Sequence, residues 1–528
     1  MKETKPEVLK QNISTFFLMV TAILCGGLIM VIEILGSRII GPYFGVSLFV
    51  WTSMITVTLL ALAAGYYAGG IFSDRGRNPD HLYQLILGAG IYCLLVPLIK
   101  IPVLTAFQSS GLRVGSLLVS SILFGPPLAL LGCVSPFVIK LYTKELKRLG
   151  RNVGFFYAIS TFGSFAGTVL TGFVLIAHFR VSRIMQFVGV LLILLSVVYF
   201  LCFRKKIVIL TAFLPLLLLS FSTENYSVLL QNGTRATQVY TADSYYGNLQ
   251  VIDFSYGPIH TRELMIDGLV QGGIDMRSRL SIYPYSYYLQ LIPISMKPQG
   301  DRCLVIGLGA GIVATWYGHQ GITTDVVDID SEVIRIAREY FQFGATGEVA
   351  SEDARYFLAK SNKTYDYIIL DAFTGDSTPS HLLTLEALTL VKQRMAGDGI
   401  AAMNIIGSLD HNSYMTKSVI KTIRHVFENV DVIPLYEQAT PDAYGNIILI
   451  AYDGTKRDVD ISVVNRYPIH PIPEKSVVKY FGRIHPIDSN EGLVLTDEYN
   501  PYNIKDLWLK EKLRESIIAS LPLKLLAV

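Results

Sequence analysis

Long apolar runs occupy the first two fifths of the chain. The first extends from about 15 to 35, and about 20 apolar residues suffice for a helix to cross a bilayer. Further runs lie at about 48–72, 82–105, 114–141, 154–178 and 184–203. A shorter run at 207–222 is close to the lower limit for a span. The pattern predicts an N-terminal α-helical transmembrane bundle of six or seven spans within residues 1–222.

Prolines and glycines refine this expectation. Pro126, Pro127 and Pro136 interrupt the fourth run, and because proline lacks a backbone N–H we expect that span to be kinked or partly re-entrant. Close helix packing is predicted where glycines cluster in apolar runs. These glycines are Gly65, Gly69, Gly70, Gly163, Gly167 and Gly172.

Basic residues between the runs give an orientation. If each run crosses once, one side collects Lys2, Lys5, Lys10, Arg75, Arg77, Lys144, Lys147, Arg148, Arg151, Arg204, Lys205 and Lys206. The positive-inside rule then places the N-terminus in the cytoplasm. Six spans keep the rest of the chain there, whereas a seventh at 207–222 moves it outside. We expect a multi-pass protein of the cell membrane with its C-terminal part on the cytoplasmic face.

Alternating apolar and polar positions follow a polar linker at 223–235. The segments 237–241, 247–255 and 260–266 predict a small antiparallel β-sheet. Asp267 and Gly268 are expected to close the set. Linker and sheet together make a subdomain at 223–299.

Strand and helix patterns alternate from residue 300 onward. Apolar runs lie at 303–306, 326–327, 367–371, 400–405 and 446–451, and amphipathic stretches lie at 331–342, 352–361, 381–395 and 412–427. This alternation predicts an α/β Rossmann-like domain at 300–528, with a largely parallel sheet and ligands at the carboxyl ends of its strands.

A glycine loop joins the first of these strands to the first helix. Gly307, Gly309 and Gly311 allow the backbone to approach a ligand and to adopt positive φ, and the helix start offers free N–H groups. Asp328 ends the second strand about 20 residues on, where an acid can bind both ribose hydroxyls. The pattern favours a nucleoside site, although glycines also let a helix and a strand pack closely.

Composition excludes other classes of function. Hydrophobic residues make up 51% of the 528 residues and charged residues only 16%, which fits a membrane part followed by a soluble part. The net charge of +3 and the absence of a dense basic stripe give no case for nucleic-acid binding. The five cysteines lack metal-ligand spacing, so we expect buried thiols and no metal site.

Further acids are predicted at the strand ends. Asp353 follows the third strand and Asp371 ends the fourth, with Asp376 five residues later. A carboxylate at such a position can hold an amine or accept its proton. Each is also a candidate helix cap.

These segments resemble the spermidine synthase (polyamine aminopropyltransferase) family, and in particular the branch with such a domain behind a multi-pass membrane region. The matching segments are Ser244–Asn248, Met265–Gln271, the glycine loop, Val327–Asp330, Glu352–Leu358, Tyr365–Asp371, Ala372–Glu386 and Glu33–Trp51. The resemblance implies aminopropyl transfer from decarboxylated S-adenosylmethionine to an amine such as putrescine, with release of methylthioadenosine. The donor is a co-substrate, and no tightly bound cofactor or metal is implied.

The resemblance also implies roles for particular residues. Gln271 contacts the nucleoside end of the donor, and Asp328 binds its ribose. Asp353 and Ala354 contact the adenine. Asp371 orients and deprotonates the attacking amine. The substrate-binding residues further include Tyr283, near the family's site tyrosine, and Asp376. Since soluble relatives generally associate, a homo-oligomer is also implied.

Two departures from the family pattern keep other functions open. Ala310 occupies the glycine-loop position at which soluble enzymes carry an acid for the donor's amine, and Gly247 replaces a glutamine. Ordinary S-adenosylmethionine and methyl transfer to a membrane-delivered substrate are therefore the alternative. A transporter or sensor whose soluble domain binds a nucleoside or polyamine is the third hypothesis.

Overall fold

The computed structural model describes residues 5–45, 48–75, 78–107, 110–143, 146–204, 227–230, 232–373, 378–410, 413–438, 440, 442–520 and 525. The chain forms two compact units, Met1–Glu224 with Leu521–Val528 and Asn225–Ser520. Each unit has its own set of buried apolar side chains.

The described part of the N-terminal unit is helical. Its helices are α1 (Lys5–Phe44), α2 (Leu48–Asp74), α3 (Pro79–Phe107), α4 (Gly111–Leu123), α5 (Gly125–Gly132), α6 (Val134–Tyr142), α7 (Leu149–Leu170), α8 (Ile176–His178) and α9 (Val181–Tyr199). A 3₁₀ turn at Leu146–Arg148 precedes α7, and π-helical turns at Thr171–Leu175 and Phe200–Arg204 follow α7 and α9.

Six stretches of the described residues are long and apolar enough to cross a membrane. They are Thr15–Phe44, Phe49–Asp74, Pro79–Phe107, Gly125–Tyr142, Leu149–Leu175 and Val181–Arg204. The expected bundle of apolar helices is therefore confirmed. The run at 207–222 lies outside the described residues, so the seventh span stays a prediction.

The predicted fourth span is interrupted. Helix α4 ends at Leu123, and α5 begins at Gly125 with a proline in its first turn, where the missing N–H is not needed by the helix. A second interruption at Cys133 separates α5 from α6. The stretch long enough to span is Gly125–Tyr142, and α4 is a shorter apolar helix before it.

Glycines set the distance between several of these helices. A Cβ on Gly163 would lie 2.1 Å from the carbonyl oxygen of Ile23, and one on Gly167 would lie 2.4 Å from that of Gly27. A Cβ on Gly65 or Gly69 would likewise clash, with Ala129 and Cys133 respectively. The expectation of close packing holds at these four positions. It is wrong at Gly70 and Gly172, because a Cβ on either would meet open space.

The small antiparallel sheet has five strands in sequential order among the described residues. They are β1 (Ser227–Leu229), β2 (Arg235–Asp243), β3 (Asn248–Tyr256), β4 (Ile259–Ile266) and β5 (Leu269–Asp275). The sheet is confirmed, but the prediction that Asp267 and Gly268 close it is wrong. Both residues have positive φ, 47° and 77°, as a two-residue hairpin turn requires, and β5 follows them.

The large sheet has the order β11-β12-β10-β9-β6-β7-β8 in the described residues. Its strands are β6 (Arg302–Ile306), β7 (Thr323–Asp328), β8 (Val349–Ser351), β9 (Tyr365–Leu370), β10 (Met395–Gly407), β11 (Asn429–Pro434) and β12 (Gly445–Tyr452). Five neighbouring strands are parallel, and β11 and β12 are antiparallel additions at one edge. The α/β expectation is confirmed.

Helices cover both faces of this sheet, and each face has a buried apolar cluster. They are α10 (Pro284–Met296), α11 (Ile312–His319), α12 (Ser331–Phe341), α13 (Ala354–Lys360), α14 (Leu385–Gln393), α15 (Tyr414–Val426), α16 (Pro471–Tyr480), α17 (Tyr502–Lys505) and α18 (Leu507–Ser520). The parallel strands β6, β7 and β9 end at one edge, where the glycine loop and the acidic residues lie.

Candidate active site

A cleft opens at the carboxyl ends of β6, β7 and β9, and we call it the sheet-edge cleft. It encloses about 770 Å³ of atom-free space counted out to its mouth, open solvent included. Its lining includes Gln271, Gly307, Gly309, Asp328, Asp353, Ala354 and Asp371. Residues predicted from separate segments are thus brought to one hollow.

The glycine loop is held against its neighbours by contacts that exclude side chains. Gly307, Gly309 and Gly311 have φ values of 85°, 51° and 75°, which favour glycine. A Cβ at 307 would lie 2.4 Å from the carbonyl oxygen of Asp371, and one at 309 would lie 2.8 Å from that of Gln271. Gly311 precedes α11 as its left-handed cap and does not line the cleft.

Asp328 lies half-buried beneath the glycine loop. Its Oδ2 accepts from the N–H of Leu308 at 2.8 Å, and its Oδ1 accepts from the N–H of Asp330 at 2.9 Å. Burial raises the pKa of Asp328 to about 6, although both N–H donors act in the opposite direction. The carboxylate therefore fixes the loop as well as lining the cleft.

Asp330 joins the small sheet to this site. Its Oδ2 accepts from Ser244 Oγ at 2.5 Å, and its Oδ1 caps α12 through the N–H of Glu332. Ser244 lies in the turn between β2 and β3. Tyr246 from the same turn lines the cleft, and its pKa is raised by burial and then by Asp330, Asp353 and Asp328.

Asp353 has two roles in the structure. Its Oδ1 accepts from the N–H groups of Arg355 and Tyr356, so it caps α13. Its Oδ2 lies 3.0 Å from Nε2 of His381. His381 and the neighbouring Ala354 both line the cleft.

Asp371 lies on the other side of the glycine loop from Asp328 and caps no described helix. Its Oδ1 accepts from Asn404 Nδ2 at 2.8 Å, and Asn404 in turn accepts from Asn446 Nδ2 at 2.9 Å. Burial raises the pKa of Asp371 to about 6, against the effect of the Asn404 hydrogen bond. A carboxylate with that pKa is suited to accept a proton near neutral pH. Asp376 lies outside the described residues.

Tyr283 is not brought into the lining of the cleft. Its hydroxyl donates to Glu263 Oε2 at 2.8 Å. Two residues later, Tyr285 donates to the carbonyl oxygen of Gln271 at 3.2 Å. The pKa of Tyr285 is raised by burial and then by the charge of Asp371. Tyr285 does not line the cleft either, but its hydroxyl is bound to the backbone of Gln271, which does.

The segment around His381 belongs to the match at Ala372–Glu386, but sequence reasoning assigned no role to His381 or to the residues that support it. Arg355 binds Asp497 with both terminal nitrogens, at 2.7 and 2.6 Å. Asn500 donates to the carbonyl oxygen of Ser380 at 2.7 Å. The segment Thr496–Pro501 thus braces the segment that carries His381.

The two departures from the family pattern have structural counterparts. Ala310 is buried, 4% exposed, in the glycine loop. A Cβ on Gly247 would lie 2.7 Å from Oδ2 of Asp267 in the hairpin turn. A larger residue at 247 would displace that turn, which explains the glycine.

The model of the family described as "Spermine/spermidine synthase domain" matches residues 283–462. The C-terminal unit contains a spermine/spermidine synthase domain. The match includes the glycine loop, Asp328, Asp353 and Asp371, whereas Gln271 precedes it. The synthase domain is that of a transferase family.

Individual relatives cover smaller shares of the chain. An N-terminal histidine N-methyltransferase of Emericella nidulans is 37% identical over 133 residues, 24% of each chain. A polyamine aminopropyltransferase of Vibrio vulnificus is 33% identical over 157 residues, 28% of this chain and 52% of the relative. The chain thus spans between a quarter and about half of these relatives.

Solved structures are similar to the synthase domain at low identity. A probable spermidine synthase from Corynebacterium glutamicum is 20% identical with a TM-score of 0.41, covering 49% of this chain and 96% of that one.

Proposed function

We propose that the protein is a membrane-anchored transferase that moves an aminopropyl group from decarboxylated S-adenosylmethionine to an amine such as putrescine. The observation that supports this most is that Gly307, Asp328 and Asp371 border one cleft. The lining carries the carboxyl groups of Asp328, Asp330, Glu352, Asp353 and Asp371. Among the described lining residues, His381 has the only side chain that can carry a positive charge. Such a lining suits a cationic sulfonium donor and a cationic amine.

Donor binding follows from the positions of the acids. Asp328 binds the ribose hydroxyls, Asp353 and Ala354 contact the adenine, and Gln271 contacts the nucleoside end. Because the glycine loop carries no side chains at Gly307 and Gly309, its backbone can lie directly against the donor. Alignment of donor and acceptor is the main catalytic contribution, because the sulfonium is already a good leaving group.

The chemical step is a substitution at carbon. The amine lone pair attacks the aminopropyl carbon bonded to sulfur, the C–S bond breaks, and methylthioadenosine leaves with the electron pair. Asp371 accepts the proton that the attacking nitrogen loses. Tyr285 is a better candidate than Tyr283 for positioning that nitrogen, because its hydroxyl donates to the backbone of Gln271, a lining residue, whereas the hydroxyl of Tyr283 is bound to Glu263.

The test is turnover by the full-length protein in detergent. Supplied with decarboxylated S-adenosylmethionine and putrescine, it is expected to release methylthioadenosine and spermidine in equal amounts. Measured binding of both forms of the donor gives the second readout. Preference for the carboxylated donor, without release of methylthioadenosine, would reject aminopropyl transfer.

N-methyl transfer is the second candidate, and two observations favour it. Ala310 leaves the glycine loop without the acid expected for the donor's free amine, and one relative is named as a histidine N-methyltransferase. Under this alternative, S-adenosylmethionine binds more tightly than its decarboxylated form and S-adenosylhomocysteine is the product. Mass spectrometry of the reaction with each donor separates the two functions.

The six apolar helices support membrane association. We propose that they anchor the protein in the cell membrane with the synthase domain on the cytoplasmic side, where the donor is made.

A further inference from the structure

A second cavity borders the glycine loop and shares no lining residue with the sheet-edge cleft. It lies between the turn that follows β5, helices α10 and α11, and Tyr467. It encloses about 1150 Å³ of atom-free space counted out to its mouth. Ala310 lines this cavity, whereas the adjacent Gly309 lines the sheet-edge cleft.

The charges of the second cavity are opposite to those of the cleft. Arg279 and His319 line it, and none of its described lining residues is an acid. Arg279 donates to the carbonyl oxygen of Phe341 at 2.7 Å and forms no ion pair within the described parts of the chain. Burial, and then the nearby charge of Arg262, lower the pKa of Arg279. An anion beside this guanidinium would compensate both effects.

A buried amide in the same cavity also lacks a partner. Gln290 is only 2% exposed, and its side chain makes no hydrogen bond to any residue that the structure describes. Buried polar groups are normally hydrogen-bonded. A ligand with acceptor oxygens would satisfy the Gln290 N–H groups and Arg279 together.

The turn that carries Arg279 is rigidly held. Arg279 has a φ of 63°, which is uncommon for a residue other than glycine and is found at functional sites. Asp275, an acid four residues before Arg279, accepts from the N–H groups of Arg277 and Ser278 with Oδ1. Its Oδ2 lies 3.9 Å from Nε2 of His470. Asp275 is therefore engaged within the turn and does not neutralise Arg279.

Aromatic side chains form the remaining wall. Trp316 packs edge-on against Tyr467 with ring centroids 5.3 Å apart, and Phe341 lines the same space. We propose that the second cavity binds a small molecule that carries a carboxylate or phosphate group on a planar ring. Arg279, Gln290 and His319 hold the anionic group, and Trp316 and Tyr467 contact the ring. This proposal does not depend on which group the sheet-edge cleft transfers.

Binding of simple probes to the full-length protein tests this site. Phenyl phosphate and benzoate are titrated while tryptophan fluorescence is recorded, and benzylamine is the cationic analogue. At least one anion is expected to bind saturably and to change the fluorescence, whereas benzylamine is not. The identity of that anion distinguishes a phosphate from a carboxylate ligand. The fluorescence change is expected to disappear in Trp316→Phe.

Paired variants assign the binding to this cavity. Arg279→Gln and Gln290→Leu are each expected to weaken anion binding at least about tenfold. The first removes a charged hydrogen-bond donor to the ligand, and the second removes a neutral one. Arg277→Gln, in the same turn but outside the lining, is expected to bind as the unaltered protein does. Thermal unfolding shows whether each variant is folded. If Arg279→Gln does not fold, the affinity of Gln290→Leu for the anion decides the test. Absence of saturation below about 10 mM for both anions, or unchanged affinity in the folded variants, would overturn the proposal.

Discussion

Asp371 owes its chemistry to its surroundings. It lies half-buried at the end of β9 and has Asn404, a neutral donor, as its side-chain partner. No cation is paired with it in the described part of the chain, so its pKa rises to about 6 where a salt bridge would have lowered it. Under the proposed function, the acceptor amine supplies the cation that this position lacks.

Replacing this carboxylate tests its role directly. Asp371→Asn is expected to lower kcat by about 10²–10⁴-fold, because the amine loses its proton acceptor. Donor affinity is expected to stay within about tenfold, since Asp371 acts on the acceptor. Asp410→Asn, at an exposed acid outside the lining, serves as the control. A large loss of donor binding would instead place Asp371 with the donor.

The raised pKa also predicts a pH dependence with a definite sign. Asp371 must be ionised to accept a proton, so kcat/KM is expected to rise as pH increases through about 6. For stability the sign is opposite. The folded protein keeps this proton up to about pH 6, whereas an unfolded aspartate loses it near about 3.9, so its contribution falls across that window. As pH rises between those two values, the melting temperature of Asp371→Asn is therefore expected to increase relative to that of the unaltered protein. A difference in melting temperature that stays constant over this range would argue against the raised pKa.

Sequence reasoning at this scale succeeded where the backbone dictates the residue. The glycines of the loop and the acids after β7 and β9 were found because strand, turn and helix patterns locate them. The sequence could not distinguish Tyr283 from Tyr285 as the tyrosine nearer the cleft, because that depends on the backbone conformation of the turn before α10. Glu263 decides it by binding Tyr283, and its place opposite that tyrosine follows from sheet pairing alone.

Elements in the membrane part are spaced by their smallest residues, and α2 offers a matched pair. Gly65→Ala places a methyl group 2.2 Å from the carbonyl oxygen of Ala129, whereas Gly70→Ala meets open space. We expect the first change to destabilise the protein by about 1–3 kcal/mol, seen as a lower melting temperature in detergent. The second is expected to be neutral or slightly stabilising. Equal effects would show that α2 and α5 are not in this contact.

Elements escaped prediction where the pattern was weak. Strand β5 was missed because its central glycines, Gly272 and Gly273, interrupt the alternation of apolar and polar positions. Strand β11 is short, and its pairing with β12 is antiparallel, which strand–helix alternation does not predict. Helix α16 begins at Pro471 within a proline-rich stretch. In each case contacts with distant parts of the chain stabilise an element that the local sequence does not predict.

The orientation of the whole molecule can be measured by cysteine labelling. In a Cys202→Ser background, Lys475→Cys in the C-terminal unit is expected to react with an impermeant maleimide in inverted vesicles but not in intact cells. Arg180→Cys, between α8 and α9, is expected to show the reverse, because positive-inside topology with six spans places it outside. Labelling of both from the same side would contradict the six-span topology.

The brace around His381 has a consequence for synthesis. The strands, loops and acids of the cleft are translated before Asp497 and Asn500, yet those late residues anchor the segment of Ser380. Because domains form in the order in which the ribosome releases them, the sheet-edge cleft still lacks this brace when the apolar helices have already been translated. Under the proposed function, we expect a nascent chain arrested before Leu495 to lack activity until its final stretch emerges.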